Sequence, residues 1–384
     1  MDPAFFVEQR TRLYADYRSE KIVLYMALQD VRIWGNASQI YKTDPALTNM
    51  YEAWAQINLS DRMSLRMGRQ ALDYDNARFL GDLDWAQQGR SHDLLLFTCR
   101  NPMLNTQLHV GAAFNQNVPF EPNKLSGTFY YGVNNYKAMQ FAWWHKKFES
   151  GSLSLIIQND GRQVQVDSSM GWRQTYGADG HYRAGRMEFG GELYFQGGKN
   201  ATARQVRALM ISGYARFRTN LTPLTLGIDY LSGTGPGDDR DHSFDPLYGT
   251  NHKFYGYMDY FYVGNFHGQA ATPSGLINPY FRTSFKASPK SSLNVDLHYF
   301  ASPVRIVNPE NPQEAMNSSL GIELDLVYVM NPFKDVRLFI GYSQMFATES
   351  MEIIKNGGDH RALQNWAWAM IAFKPQLFTT AKVP

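Results

Sequence analysis

The chain has 384 residues, of which 37 are basic, 35 acidic, 14% aromatic and one a cysteine, Cys99. A charged fraction of 19% beside this aromatic content excludes a disordered chain, and a net charge of +2 without any basic run excludes nucleic-acid binding through bulk charge. One cysteine excludes an internal disulfide framework, and the longest apolar run, Trp366 to Phe373, is far short of the ~20 residues of a membrane-spanning helix.

Met1 to Val7 lacks the basic segment and apolar core of a signal peptide, so the chain is either cytoplasmic or written without its targeting sequence. In chain order, alternation of apolar and polar residues predicts strands over 7–17, 20–34, 50–59, 62–70 and 92–100. The pattern is clearest next, where Asn105, Gln107, His109, Gly111 and Asn115 alternate with Leu104, Thr106, Leu108, Val110, Ala112 and Phe114. It continues over 136–148, 152–159, 168–177, 182–196, 205–218, 223–231 and 277–288. Leu293, Val295, Leu297 and Tyr299 then alternate with Asn294, Asp296 and His298. Leu320, Ile322, Leu324, Leu326 and Tyr328 alternate with Glu323 and Asp325, and Val336, Leu338, Ile340 and Tyr342 with Arg337 and Ser343. A last segment covers 361–373, which makes 17.

Strands of soluble sandwiches run to about five or six residues. Segments of roughly 9–11 residues, apolar outward and polar inward, are the signature of an outer-membrane β-barrel. Connection lengths agree. Ser19-Glu20, Ser60-Asp61, Asn101-Pro102, Glu149-Ser150, Ala178 to Gly180, Thr219 to Thr222, Ser288 to Lys290 and Asn331 to Lys334 read as tight turns. Most of the links between them are long: 35–49, 71–91, 116–135, 232–276, 302–317 and 349–360. Short periplasmic turns and long external loops alternate in this way. By that alternation the segment from Val7 runs towards the periplasm, and the last strand ends there. Bacterial single-chain barrels have an even strand count. The expectation is therefore one all-β transmembrane antiparallel barrel domain over 1–384 in the bacterial outer membrane, with about 17 strands here. An N-terminal strand and a signal peptide would precede this sequence and make 18. The rival source of an eighteenth strand is Phe254 to Val263, whose aromatics alternate weakly.

Two stretches carry a family resemblance. The first is Leu65-Arg66-Met67-Gly68-Arg69-Gln70, then Tyr74, Arg78-Phe79-Leu80-Gly81, Asp84-Trp85, Gly89-Arg90 and Asp93. The second runs from Phe244-Asp245-Pro246-Leu247-Tyr248-Gly249 to Gly256. Together they resemble the alginate export family of outer-membrane proteins. The resemblance implies an 18-stranded barrel that passes anionic polysaccharide or other solutes, with a further strand before residue 5. Charge departs from this picture. Inward positions hold Arg66, Arg186, Arg282, Lys286 and Arg337 against Glu52, Glu188, Glu192, Asp296, Glu323 and Asp325. Alginate export itself would require a clear cationic excess, so the family name does not settle the substrate.

Arg69, Arg78 and Arg90, with Asp84 and Asp93, sit at or within the connection 71–91. They read either as a cationic constriction, because guanidinium groups recognise carboxylates bidentately, or as ion pairs, Arg78 to Asp84 or Arg90 to Asp93, that fix the loop against the wall. Asp238, Asp239, Asp241 and Asp245 offer oxygen ligands for calcium but lack the twelve-residue loop spacing, and read as a solvated acidic loop. His109 and His298 read as lumen hydrogen-bonding groups. Glu192 to Gly197 looks like part of a protease tag, yet continues a strand. The expected function is a passive outer-membrane channel for a small or oligomeric solute, an anionic saccharide among the candidates. No cofactor, metal, nucleic acid or catalysis is expected, and no protein partner is identified. The alternatives are a loop-plugged barrel acting as an enzyme or as the docking partner of an envelope machine, and a soluble β-rich carbohydrate-binding protein.

Overall fold

Period-two patterning becomes strand wherever one face meets an apolar medium and the other water. A computed structural model describes residues 4–35, 48–116, 136–164, 169–219, 222–261, 268–269 and 272–380. The first strands are β1 (Glu8–Arg18), β2 (Ile22–Ile33), β3 (Thr48–Asn58), β4 (Met63–Gln70), β5 (His92–Asn101), β6 (Thr106–Phe114), β7 (Ala138–Phe148), β8 (Gly151–Gln163) and β9 (Met170–Ala184). They are followed by β10 (Met187–Lys199), β11 (Gln205–Arg218), β12 (Pro223–Leu231), β13 (Leu276–Ser288), β14 (Ser291–Ala301), β15 (Ser319–Phe333), β16 (Val336–Ala347) and β17 (Gln364–Phe373). All 17 belong to one sheet, which is not closed. A two-residue ladder pairs 268–269 with 272–273. The helix α1 (Glu349–Lys355) precedes β17, and among the described residues no helix is long and apolar enough to cross a membrane.

Every strand expected from the alternation forms. Contacts divide the chain into two compact units, one of Met1–Asp179, Tyr194–Arg207 and Asp245–Asn251, the other of Gly180–Leu193, Ala208–Phe244 and His252–Pro384. In the first unit Met67, Leu95 and Ala112 align across β4 to β6 on the outward face, and Arg66, Leu96, Gly111 and Phe141 align on the inward one. In the second, Leu226, Phe281, Leu297 and Leu324 form an outward row. Arg282, Asp296, Asp325 and Ser343 form the inward row. Leu226 is 65% exposed and Leu297 42%, whereas Glu323 and Asp325 are buried at 0% and 1%. This inversion of the soluble pattern is what a hydrocarbon surround produces.

Three expectations are corrected. Residues 178–180 are not a turn: β9 runs through them to Ala184, and Gly185, at φ +58°, begins the reversal. Gly177 and Asp179 occupy inward positions, and a Cβ on Gly177 would lie 2.3 Å from the Tyr194 ring, so this glycine makes room for a side chain. Leu320 does not share the outward face of Ile322. A bulge at Gly321, at φ +142°, shifts the register and turns Leu320 fully inward. Phe254 to Phe261 forms turns rather than a strand, and Tyr262 and Val263 lie outside the described residues. So do most of the links 35–49 and 116–135.

Candidate functional site

In the first unit the connection from Ala71 to Ser91 folds against the inward wall. Asp75 accepts the Trp143 indole N–H at 3.0 Å and the Ser154 hydroxyl at 2.5 Å. Ser154 also lies 2.8 Å from His145 Nδ1. Burial pushes the Asp75 carboxyl up, and Asp179 adds to the shift. The neighbouring Tyr74 hydroxyl bonds His109 Nδ1 at 3.0 Å, and its ring packs 4.9 Å from that of Trp143. Further along, Asp84 joins Arg10 at 3.0 Å and Arg12 at 2.8 Å on β1.

The connection also holds the segment 245–251. Leu80 and Tyr248 form a parallel bridge, the Thr250 amide donates to Ala77 O at 2.8 Å, and Arg90 Nη1 donates to Gly249 O at 2.9 Å. A Cβ on Gly249 would stand 2.1 Å from Arg78 O, so glycine permits this approach. Asp245 pairs with Arg173 at 3.0 Å, and Asp160 lies 3.5 Å from Arg173 and 3.3 Å from Arg162. Burial alone would raise the Asp245 carboxyl, but Arg173 and Arg162 overcome it and hold the group below the ordinary carboxylate range.

In the second unit the segment after His252 lies on wall carboxylates. The Met258 amide donates to Glu323 at 2.8 Å and the Tyr257 amide to Asp325 at 3.3 Å. Arg282 donates to Lys253 O at 2.9 Å and pairs with Asp296 at 3.2 Å. A Cβ on Gly256 would come within 2.5 Å of the Glu323 carboxylate. Burial and the charge of Asp296 raise the Tyr257 phenol to about 12, so it stays neutral.

The structure places the expected site residues unevenly. Arg66 lies on the inward wall, where its Nε and Nη2 reach Gln56 Oε1. Arg69 and Asp93 pair at 3.0 Å, but on the outward face with Met67 and Leu95, because Arg69 shares the parity of Met67. Arg78 is 2% exposed, and Arg90 binds backbone oxygens. Asp84 takes Arg10 and Arg12 as partners, so the expected pairs Arg78 to Asp84 and Arg90 to Asp93 are not those seen. Arg186 lies in the turn before β10 rather than on the wall. Glu188 gathers Arg216 at 3.1 Å and Arg218, while Glu192 is buried facing inward. Lys286 is exposed near the end of β13, and Arg337 donates to Asn331 at 3.1 Å.

His109 and His298 make hydrogen bonds to Tyr74 and Asn278, and among the described residues no serine bonds either. Asp238 and Asp241 accept bonds from their own loop, at Gly235 N and Ser243 N. Among the described residues one potential metal-ligand trio lies together, Glu352, Asp359 and His360, and His360 is already hydrogen-bonded to Glu352 at 2.7 Å. Sequence reasoning missed Arg10, Arg12, Asp75 and Arg173. Arg10, Arg12 and Arg173 were visible as inward positions in the alternation, whereas Asp75 gains meaning only from loop docking.

The family model for alginate export matches residues 6–352. The chain belongs to the alginate export family. No curated protein matches it. Its fold is similar to that of Pseudomonas aeruginosa OccD3 (OpdP), at 12% identity over 96% of this chain and 86% of that one, with a TM-score of 0.62. Pseudomonas aeruginosa OpdK with vanillate gives 12% identity over 96% and 92% at 0.60, and OccK8 (OprE) of the same organism gives 10% over 88% and 88% at 0.59. This alginate export family member has the β-barrel fold of outer-membrane porins, resides in the bacterial outer membrane and is a passive channel.

Proposed function

We propose that this channel admits small carboxylate-bearing solutes by diffusion and without covalent chemistry, through one barrel domain narrowed by the connection from Ala71 to Ser91. The observation that carries the reading is the anchoring of that connection at three points: Asp75 on Trp143 and Ser154, Asp84 on Arg10 and Arg12, and Leu80 on Tyr248. A loop fixed this firmly suits small solutes better than a long polymer. Its own cations do not make the selective element, since Arg78 is buried and Arg90 is bound to carbonyl oxygens. Selection falls to wall arginines, Arg66 foremost, whose fork matches a carboxylate. The fold neighbour OpdK was determined with vanillate, itself a monocarboxylate.

Proteoliposome swelling tests this. Potassium salts of small carboxylates should enter faster than neutral sugars of equal size. Equal rates for the two classes, or no entry of either, would overturn the reading.

A further inference from the structure

Outside the lumen, one stretch of the outward face in the first unit departs from the apolar pattern. On β7, β8 and β9, towards the ends that carry the long connections, the outward residues change from apolar to amide within one strand period: from Ala142 to Gln140, from Ile157 to Asn159 and from Tyr176 to Gln174. The three amides are joined. Asn159 Nδ2 donates to Gln140 Oε1 at 2.9 Å, and Gln174 Nε2 donates to Asn159 Oδ1 at 2.7 Å. At the two ends of this row the Gln140 N–H groups and Gln174 Oε1 make no hydrogen bond among the described residues. Polar groups facing hydrocarbon without partners are costly, so the row belongs above the apolar band, at headgroup depth. Trp172, the next outward residue on β9, marks the same depth. It is 37% exposed, and its ring lies over Gly161, where a Cβ would stand 2.7 Å from it; tryptophans gather at this level of a membrane.

Cations lie beside the amide row. The chain carries three of them from Lys199 to Arg207 and no acidic residue. On this side β10 and β11 are joined only by residues 200–204, and the Asn200 amide donates to Arg204 O at 3.0 Å. Asn200 Oδ1 in turn accepts the Thr202 and Arg204 amides, each at 3.0 Å. A turn this short and this firmly tied keeps its cations at headgroup depth, where a long loop would carry them away. Arg207 faces outward with Ile211, because Val206, Ala208 and Met210 are buried on the other face. Gly197, opposite Arg207, leaves a notch: a Cβ there would meet nothing nearer than the Phe195 ring at 3.5 Å. A Cβ on Gly198 would lie 2.6 Å from Gln174 Oε1, which sets the amide row against the notch.

We propose that this outward patch of β7 to β11 binds a phosphorylated glycolipid of the outer leaflet. Lys199, Arg204 and Arg207 take the phosphate, as basic clusters at a membrane surface do. The amide row meets the sugar hydroxyls, since a primary amide both donates to and accepts from them. The acyl chains run down over Ile157, Leu193 and Phe195, all exposed on the same face.

The test is native mass spectrometry of the full chain in detergent with diphosphoryl lipid A, its monophosphoryl form and phosphatidylglycerol. Diphosphoryl lipid A should be retained at least fivefold better than either of the others. Lys199→Gln combined with Arg207→Gln should lower that retention about tenfold, and Asn159→Leu, which interrupts the amide row, about threefold. Lys146→Gln, at an outward position near the short turn after β7, should leave it unchanged. Heat-modifiable gel migration verifies that each variant is folded. Proteoliposome swelling should be the same for all of them, because no altered side chain faces the lumen, so failure of the lipid assignment leaves the channel reading untouched. Equal retention of the three lipids, or unchanged retention in the folded double variant, would overturn the proposal. So would a lipid-free dimer, which would assign this face to a second copy of the chain.

Discussion

Replacing Asp75 by alanine is the sharpest perturbation of the docked connection. Its carboxylate accepts one indole N–H and one hydroxyl, and hydrogen bonds to a charged acceptor contribute about 1.5–3 kcal/mol each. The gross loss of ~3–6 kcal/mol is offset by the desolvation that raises the Asp75 pKa. It is partly increased again by leaving the Trp143 N–H without its acceptor. A net loss of about 2–3 kcal/mol follows, which multiplies the undocked fraction by roughly 30–150. Tyr74 on His109 and the bridge of Leu80 with Tyr248 remain, so the connection should loosen without unfolding. The raised pKa also sets a pH dependence: docking binds the proton more tightly than the free loop does, so it strengthens as pH falls through the raised value. Single-channel recording in planar bilayers should show Asp75→Ala visiting a higher-conductance level that the parent rarely enters. A folded variant with the parent's conductance and noise would refute the claim that Asp75 anchors the loop.

Leu297→Arg places a positive charge on the outward row and should cost roughly 2–4 kcal/mol at mid-depth, reducing folding yield into liposomes, while Gln107→Arg on the inward face should fold normally; equal yields would mean the faces are misassigned. Gly256→Ala combines a positive φ of +82° with a Cβ 2.5 Å from the Glu323 carboxylate, and should speed proteolysis between residues 252 and 261. Lys355 on α1 donates to Tyr260 O and is pushed by burial down to about 8. The buried charge weakens this packing below about pH 8, and the loss fades as pH rises towards the ordinary lysine range. Hydrogen-exchange protection around α1 should therefore rise over that interval, and Lys355→Met should abolish the dependence.

The strands were legible because hydrocarbon on one side and water on the other write the same period into every segment, most plainly at Leu108 and Val110 beside Gln107 and His109. Local exceptions were not. Gly321 reads as an ordinary inward residue until its positive φ shifts the register and buries Leu320. Ala178 to Gly180 has turn composition, yet Gly177 and Asp179 serve the inward packing of β9. In the candidate site, the outward face of Arg69 follows from its parity with Met67, a signal present in the sequence but masked by the residue's nearness to the loop. The close approach of Arg78 and the seating of Arg90 depend on Gly249, far away in the chain, and strand periodicity carries no information about such docking.

The central claim, a passive channel in the bacterial outer membrane, is tested most directly by recording current through the reconstituted full chain in a planar lipid bilayer. The expected result is stepwise, ohmic conductance that rises when the connection from Ala71 to Ser91 is shortened. A chain that folds and inserts yet passes no current, with or without that connection, would contradict it.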